Sequence, residues 1–102
     1  MTEAELQALI TERCDDLGIL WFHDAVPYRN RCTPGFPDLV LAGPHGPVIF
    51  AELKSDDGAR SFEQARWARA IRHGGGHYRL WKPADWESGT IQRELRELAD
   101  VA

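Results

Sequence analysis

The run Val48-Ile49-Phe50-Ala51-Glu52-Leu53-Lys54 is apolar and β-prone, yet it carries a carboxylate and an ammonium group two positions apart. Strand alternation sets Val48, Phe50, Glu52 and Lys54 on one face and Ile49, Ala51 and Leu53 on the other, so two ionisable groups continue a hydrophobic face. Burying such groups costs roughly several kcal/mol per ion unless each finds the other, a metal or a ligand. An ion pair at a fraying strand end would account for them structurally. A second acid stands close by, however, because Pro37-Asp38 opens another strand-like run with thirteen residues between Asp38 and Glu52. The intervening Gly43-Pro44-His45-Gly46-Pro47 favours a reversal, and a hairpin would let Asp38 reach the same point as Glu52 where the strands diverge. Two carboxylates and a backbone carbonyl are oxygen ligands of the kind magnesium takes. Lys54, one pleat further along, would orient a water or stabilise charge on a phosphate. Taken alone, Asp38 is equally a strand-start residue that caps a turn.

These residues need a frame to hold them. Leu6, Leu9, Ile10, Cys14 and Leu17 share one side at helical spacing, which predicts a helix from Glu3 to Leu17, opened by a Thr2/Glu5 capping box and stopped by Gly18. Ile19 to His23 reads as a buried strand, and Asp24 to Phe36 as a long loop. Asp38 to Ala42 and Val48 to Lys54 should pair as an antiparallel hairpin. A second helix is predicted from Ser61 to about His73, with Ser61 and Gln64 forming another capping box and Gly74-Gly75-Gly76 ending it. His77 to Trp81 reads as a strand, and Ile91, Leu95 and Leu98 predict a last helix over Thr90 to Asp100. The order is α-β-β-β-α-β-α, an α/β domain with a mixed sheet.

At 102 residues the chain fits one domain, so residues 1–102 must place all their chemistry around a single core. A 43% hydrophobic and 27% charged composition without an apolar run of about 20 residues excludes transmembrane, collagen-like and disordered readings. The acidic N-terminus lacks the features of a secretory signal, and two cysteines are too few for a disulfide scaffold. Both point to a cytoplasmic protein in a reducing compartment. Cys14, His23 and Cys32 lack close ligand spacing, which argues against zinc, and no nucleotide-binding glycine motif or nucleophile elbow calls for an organic cofactor. Trp21, Trp67 and Trp81 read as core aromatics, with stacking on an unpaired base the alternative. The net charge of −4 conceals a segment, residues 59–82, with six bases and one acid. Arg66, Arg69, Arg72 and His73 gather on one side of the second helix, as a phosphate-contacting stripe or as a solvated face. Tyr28, Arg29 and Arg31 lie in the long loop, where they could touch DNA.

Gly35-Phe36-Pro37-Asp38-Leu39-Val40-Leu41, Ala51-Glu52-Leu53-Lys54 and Ser61-Phe62-Glu63-Gln64 together resemble the PD-(D/E)XK nuclease superfamily, and within it the VRR-NUC family of small virus-type nucleases related to Holliday junction resolvases. The likeness extends from the opening helix to Pro83. It implies a restriction-endonuclease-like core. By position it also implies an active site of Asp38 and Glu52 as metal ligands, the Leu53 carbonyl as a further oxygen, Lys54 beside the attacking water, and a first-helix glutamate completing the cluster. The helical wheel favours Glu3 for that role, since Glu3 falls within the arc of Ile10, Cys14 and Leu17 while Glu5 has a capping task. A first-turn glutamate also suits the helix dipole. Gln64 has two competing readings, as an active-site residue and as the partner of the Ser61 backbone.

The function expected on this resemblance is a magnesium-dependent endonuclease that hydrolyses a DNA phosphodiester, with manganese substituting and branched or junction DNA preferred. It leaves 5′-phosphate and 3′-hydroxyl ends and works as a homodimer, because two symmetric cuts need two sites. The alternatives are a nuclease-fold protein that binds DNA or a partner without cutting, and a restriction-type endonuclease.

Overall fold

The computed structural model describes residues 1–23 and 33–99. Among these, the chain runs α1 (Glu3–Leu17), β1 (Leu20–Phe22), β2 (Leu39–Ala42), β3 (Ile49–Leu53), α2 (Phe62–His73), β4 (His77–Trp81), α3 (Pro83–Glu87) and α4 (Thr90–Ala99). The strands form one sheet in the order β1-β2-β3-β4, antiparallel except for the parallel β3/β4 pair. The predicted mixed sheet and the β2/β3 hairpin are therefore both present.

The parallel pair sets the layers, because returning from β3 to a parallel β4 needs a crossover, which α2 supplies on one face. Phe50 meets Phe36 edge-on at 6.1 Å, and Phe36 meets Trp67 of α2 at 5.0 Å, which seals this side. The opposite face holds the main core, where Leu6, Ile10 and Cys14 of α1 and Ile91, Leu95 and Leu98 of α4 close over Leu39, Leu41, Ile49, Ala51 and Leu53. The alternation expected for β3 thus holds, with both faces covered.

Two features differ from expectation. β1 is shorter than predicted and is not buried: Leu20 is 76% and Phe22 62% exposed, and only the preceding Ile19 enters the core. The core helices close over β2 and β3, and at the β1 edge Ile19 alone joins their cluster. Trp21 is likewise exposed, not a core aromatic, and its indole donates to Asp15 at 2.9 Å. The short helix α3 was also not anticipated. Pro83 takes its first position, the Asp85 carboxylate accepts from the Lys82 amide at 2.9 Å, and Asp56 accepts from the Ala84 amide at 3.0 Å. Cys14 is core, as expected, and burial pushes its thiol up to about 12. Among the described residues no helix is long and apolar enough to cross a membrane.

Candidate active site

Asp38 sits one residue before β2, beyond the last β2/β3 pair, Leu39 with Ala51. At this point the ladder lacks a backbone acceptor, and the Asp38 side chain takes its place: Oδ2 accepts from the Leu53 amide at 2.7 Å. The Asp38 carbonyl is held in turn by Nδ1 of His23, 2.9 Å away. Asp38 is therefore fixed from two strands, and its carboxylate is directed at the end of β3.

Glu52 points to the α2 side of the sheet and is 2% exposed. Its Oε2 accepts from Nε2 of Gln64 at 3.0 Å, while Oε1 is buried with no hydrogen-bond partner. Burial is the largest influence on its protonation, followed by the neighbouring Asp38 carboxyl, and together they push Glu52 up to about 9. Lys54 pulls in the opposite direction, and the charge of Glu3 adds a further upward push. These influences place Asp38, Glu52, Lys54 and Glu3 in one electrostatic neighbourhood. At neutral pH the pair retains a proton, because two carboxylates this close in a buried setting do not both ionise without added positive charge.

The two readings of Gln64 prove compatible. Its Oε1 accepts from the Ser61 amide at 2.8 Å and its amide nitrogen donates to Glu52, so one end of the side chain caps α2 and the other reaches the carboxylate. The Ser61 hydroxyl completes the box by accepting from the Gln64 amide at 3.1 Å. The helix start is thereby tied to the acidic pair.

Glu3 differs from expectation. It lies on the predicted stripe but is exposed, since the buried part of α1 begins at Leu6. Its charge is felt at Glu52, yet among the described residues no three His, Cys, Asp or Glu side chains converge into a ligand group. The assembled donor set is Asp38 and Glu52, with the Leu53 carbonyl at the same strand end. Arg66, Arg69 and Arg72 are all exposed on α2, and Arg66 and Arg69 line an open groove of about 570 Å³ with Trp67, Ala70 and Thr33. Tyr28, Arg29, Arg31 and Cys32 lie outside the described residues. Arg79 is engaged elsewhere, paired with Glu94 at 2.6 Å. Sequence reasoning missed Tyr78, which feels the charge of Glu52, and Arg60, which lies over the Tyr78 ring; neither sits at a position that periodicity or spacing singles out.

By sequence, the chain matches no family model and no curated protein. Two solved structures share its architecture. One, titled "VRR_NUC domain", superposes with a TM-score of 0.71 at 24% identity, covering 90% of this chain and 97% of its own. The chain has the VRR_NUC fold. A second structure, titled "VRR_NUC domain protein", also gives a TM-score of 0.71, at 18% identity over 96% of this chain and 90% of the other. This fold agrees with the mixed sheet expected from the sequence.

Proposed function

We propose that the chain is a divalent-metal-dependent endonuclease acting on DNA phosphodiesters, with Asp38 and Glu52 as its metal-binding carboxylates. The observation that carries this reading is the Glu52 carboxyl, buried against Asp38 with Oε1 unpartnered. Two crowded carboxyls that jointly hold a proton in place of a second charge suit a small hard cation. Magnesium fits this all-oxygen set, and manganese would substitute.

Asp38, Glu52 and the Leu53 carbonyl would hold the ion, which when bound polarises the scissile phosphate and acidifies the attacking water. Lys54 lies at the end of the same strand, where its ammonium group orients that water and offsets charge building on the phosphate. Gln64 fixes the Glu52 carboxylate in its rotamer, and α2 keeps bulk water off the β3 face. The exposed arginines of α2 give the backbone of a polyanion a place to lie, despite the net charge of −4.

A domain of this size cuts one strand per site. We place its preferred substrate among branched DNAs, with a homodimer providing two cuts. Incubation with linear, flapped and four-way DNAs in magnesium, manganese or EDTA tests this reading. Cleavage in either metal, none in EDTA and fastest turnover of the branched forms is expected. Equal rates on all forms would remove the structure preference, and cleavage in EDTA would remove the metal.

A further inference from the structure

Tyr78 stands beside Phe50 in the parallel β3/β4 register, on the face covered by α2, and it is 4% exposed. Two guanidinium groups rest against its ring, that of Arg60 at 5.7 Å and that of Arg72 at 4.9 Å from the centroid. The ion pairs among the described residues are Arg79 with Glu94 and Arg93 with Glu97, so neither ring-bound arginine is paired with a carboxylate among them. Nη1 of Arg60 and the Tyr78 hydroxyl are both buried without a hydrogen-bond partner.

The ring attracts each cation but neutralises neither, and it gives Nη1 no acceptor. Two like charges against one ring, with no carboxylate paired to them among the described residues, attract an anion. An oxyanion with several acceptor oxygens would satisfy all of them. Position narrows its identity. Arg60 immediately precedes Ser61, the N-cap of the twelve-residue α2, whose dipole favours an anion at that end. Gln64 of the same turn donates to Glu52, and Tyr78 is close enough to Glu52 to feel its charge. Arg60 therefore lies next to the helix start that Gln64 ties to Glu52, and Arg72 shares its Tyr78 ring.

We propose that Arg60, with Arg72 beside it on Tyr78, binds a backbone phosphodiester of the nucleic acid adjacent to the one cut. Arg60 is a positioning residue in this arrangement: its planar fork, pre-oriented by the ring, engages two phosphate oxygens at once. The inference rests on the nuclease reading, and its test separates the two.

Binding of fluorescently labelled duplex DNA is measured by anisotropy across a salt series in EDTA, where no cutting is expected, for wild type, Arg60→Gln, Arg60→Lys and Arg72→Gln. Melting curves on the same samples check folding. Arg60→Gln should bind more weakly and lower the log-log salt slope by about 0.9, the contribution of one phosphate contact on duplex. Arg60→Lys, which keeps the charge, should keep the slope that Arg60→Gln loses, whereas a merely structural role would leave the slope alike in both. If Arg60→Gln does not fold, the exposed Arg72→Gln decides, with the same fall in slope expected. An unchanged slope in the folded glutamine variants overturns the phosphate site even if wild type cuts DNA in magnesium. A reduced slope with no cutting by wild type in magnesium leaves the phosphate site standing and overturns the nuclease reading instead. Wild type that binds no DNA overturns both.

Discussion

The proton held by Glu52 is the most consequential detail at the scale of single residues. Because burial and Asp38 push this carboxyl up to about 9 from an ordinary 4.5, a cation entering at neutral pH must displace it. Adding manganese to weakly buffered protein at pH 7 should therefore release about one proton per chain, and Glu52→Gln should release none; a pH-stat titration counts them. The same shift predicts how the metal-free protein responds to pH. A carboxyl raised in the folded state contributes its stabilisation fully below about 4.5 and loses it as pH rises through about 9. Melting temperatures in EDTA should fall between those values for wild type, and Glu52→Gln should flatten the fall. Glu52 and Lys54 were legible in the sequence because a charge on a hydrophobic strand face is an anomaly whatever its cause, and Asp38 because it opens the strand that a hairpin brings beside them. Arg60 was not, since a loop arginine attracts notice only when its partners are found to be missing.

At the scale of elements, helix starts were readable and burial was not. Both capping boxes appear as expected, with Thr2 Oγ1 accepting from the Glu5 amide at 3.1 Å and Glu5 accepting from the Thr2 amide at 3.1 Å. Such boxes are local, so residues three apart suffice to see them. Whether β1 is covered depends instead on strand order, which no short window contains, and its apolar run was mistaken for a core strand. Glu3 follows the same logic: the wheel found its stripe but not where the sheet ends beneath it. The division of work on α1 remains testable. Glu3→Gln should lower cleavage with little change in melting temperature, whereas Glu5→Ala should lower the melting temperature and spare cleavage.

Gly35 joins two elements in a way the motif does not reveal. It adopts φ +96°, and a Cβ there would lie 2.5 Å from the Glu63 backbone carbon and 2.7 Å from the Gln64 amide nitrogen. Gly35→Ala should thus cost about 1–3 kcal/mol in strain and lift the first turn of α2, carrying Gln64 away from Glu52. Denaturant melts and cleavage assays should both register the change; an alanine variant with native stability and activity would mean that this contact has slack.

Over the whole molecule, charge segregation is what lets an acidic protein approach a polyanion. Its net charge is −4, yet residues 59–82 contain six bases and one acid. Arg66 and Arg69 are exposed on α2 and line an open groove, where a bound polyanion would offer them phosphates and not base edges. Replacing both with Gln should weaken binding to linear and branched DNA alike and reduce the salt slope by about 0.9 for each lost contact on duplex, while leaving the preference for one structure over another intact. Salt titrations on two DNA forms would show it. The fold itself was legible to within one short helix and one strand's burial, because hairpin, crossover and caps each leave a sequence mark.

The central claim is that the Asp38 and Glu52 carboxyls carry out metal-dependent phosphodiester cleavage. Single-turnover cleavage of an end-labelled four-way DNA by wild type, Asp38→Asn and Lys54→Ala, each shown to be folded, tests it most directly in magnesium and in EDTA. The account predicts cutting by wild type in magnesium alone and rates at least about a hundredfold lower in both variants. Cutting by Asp38→Asn near the wild-type rate, or by wild type in EDTA, would contradict it.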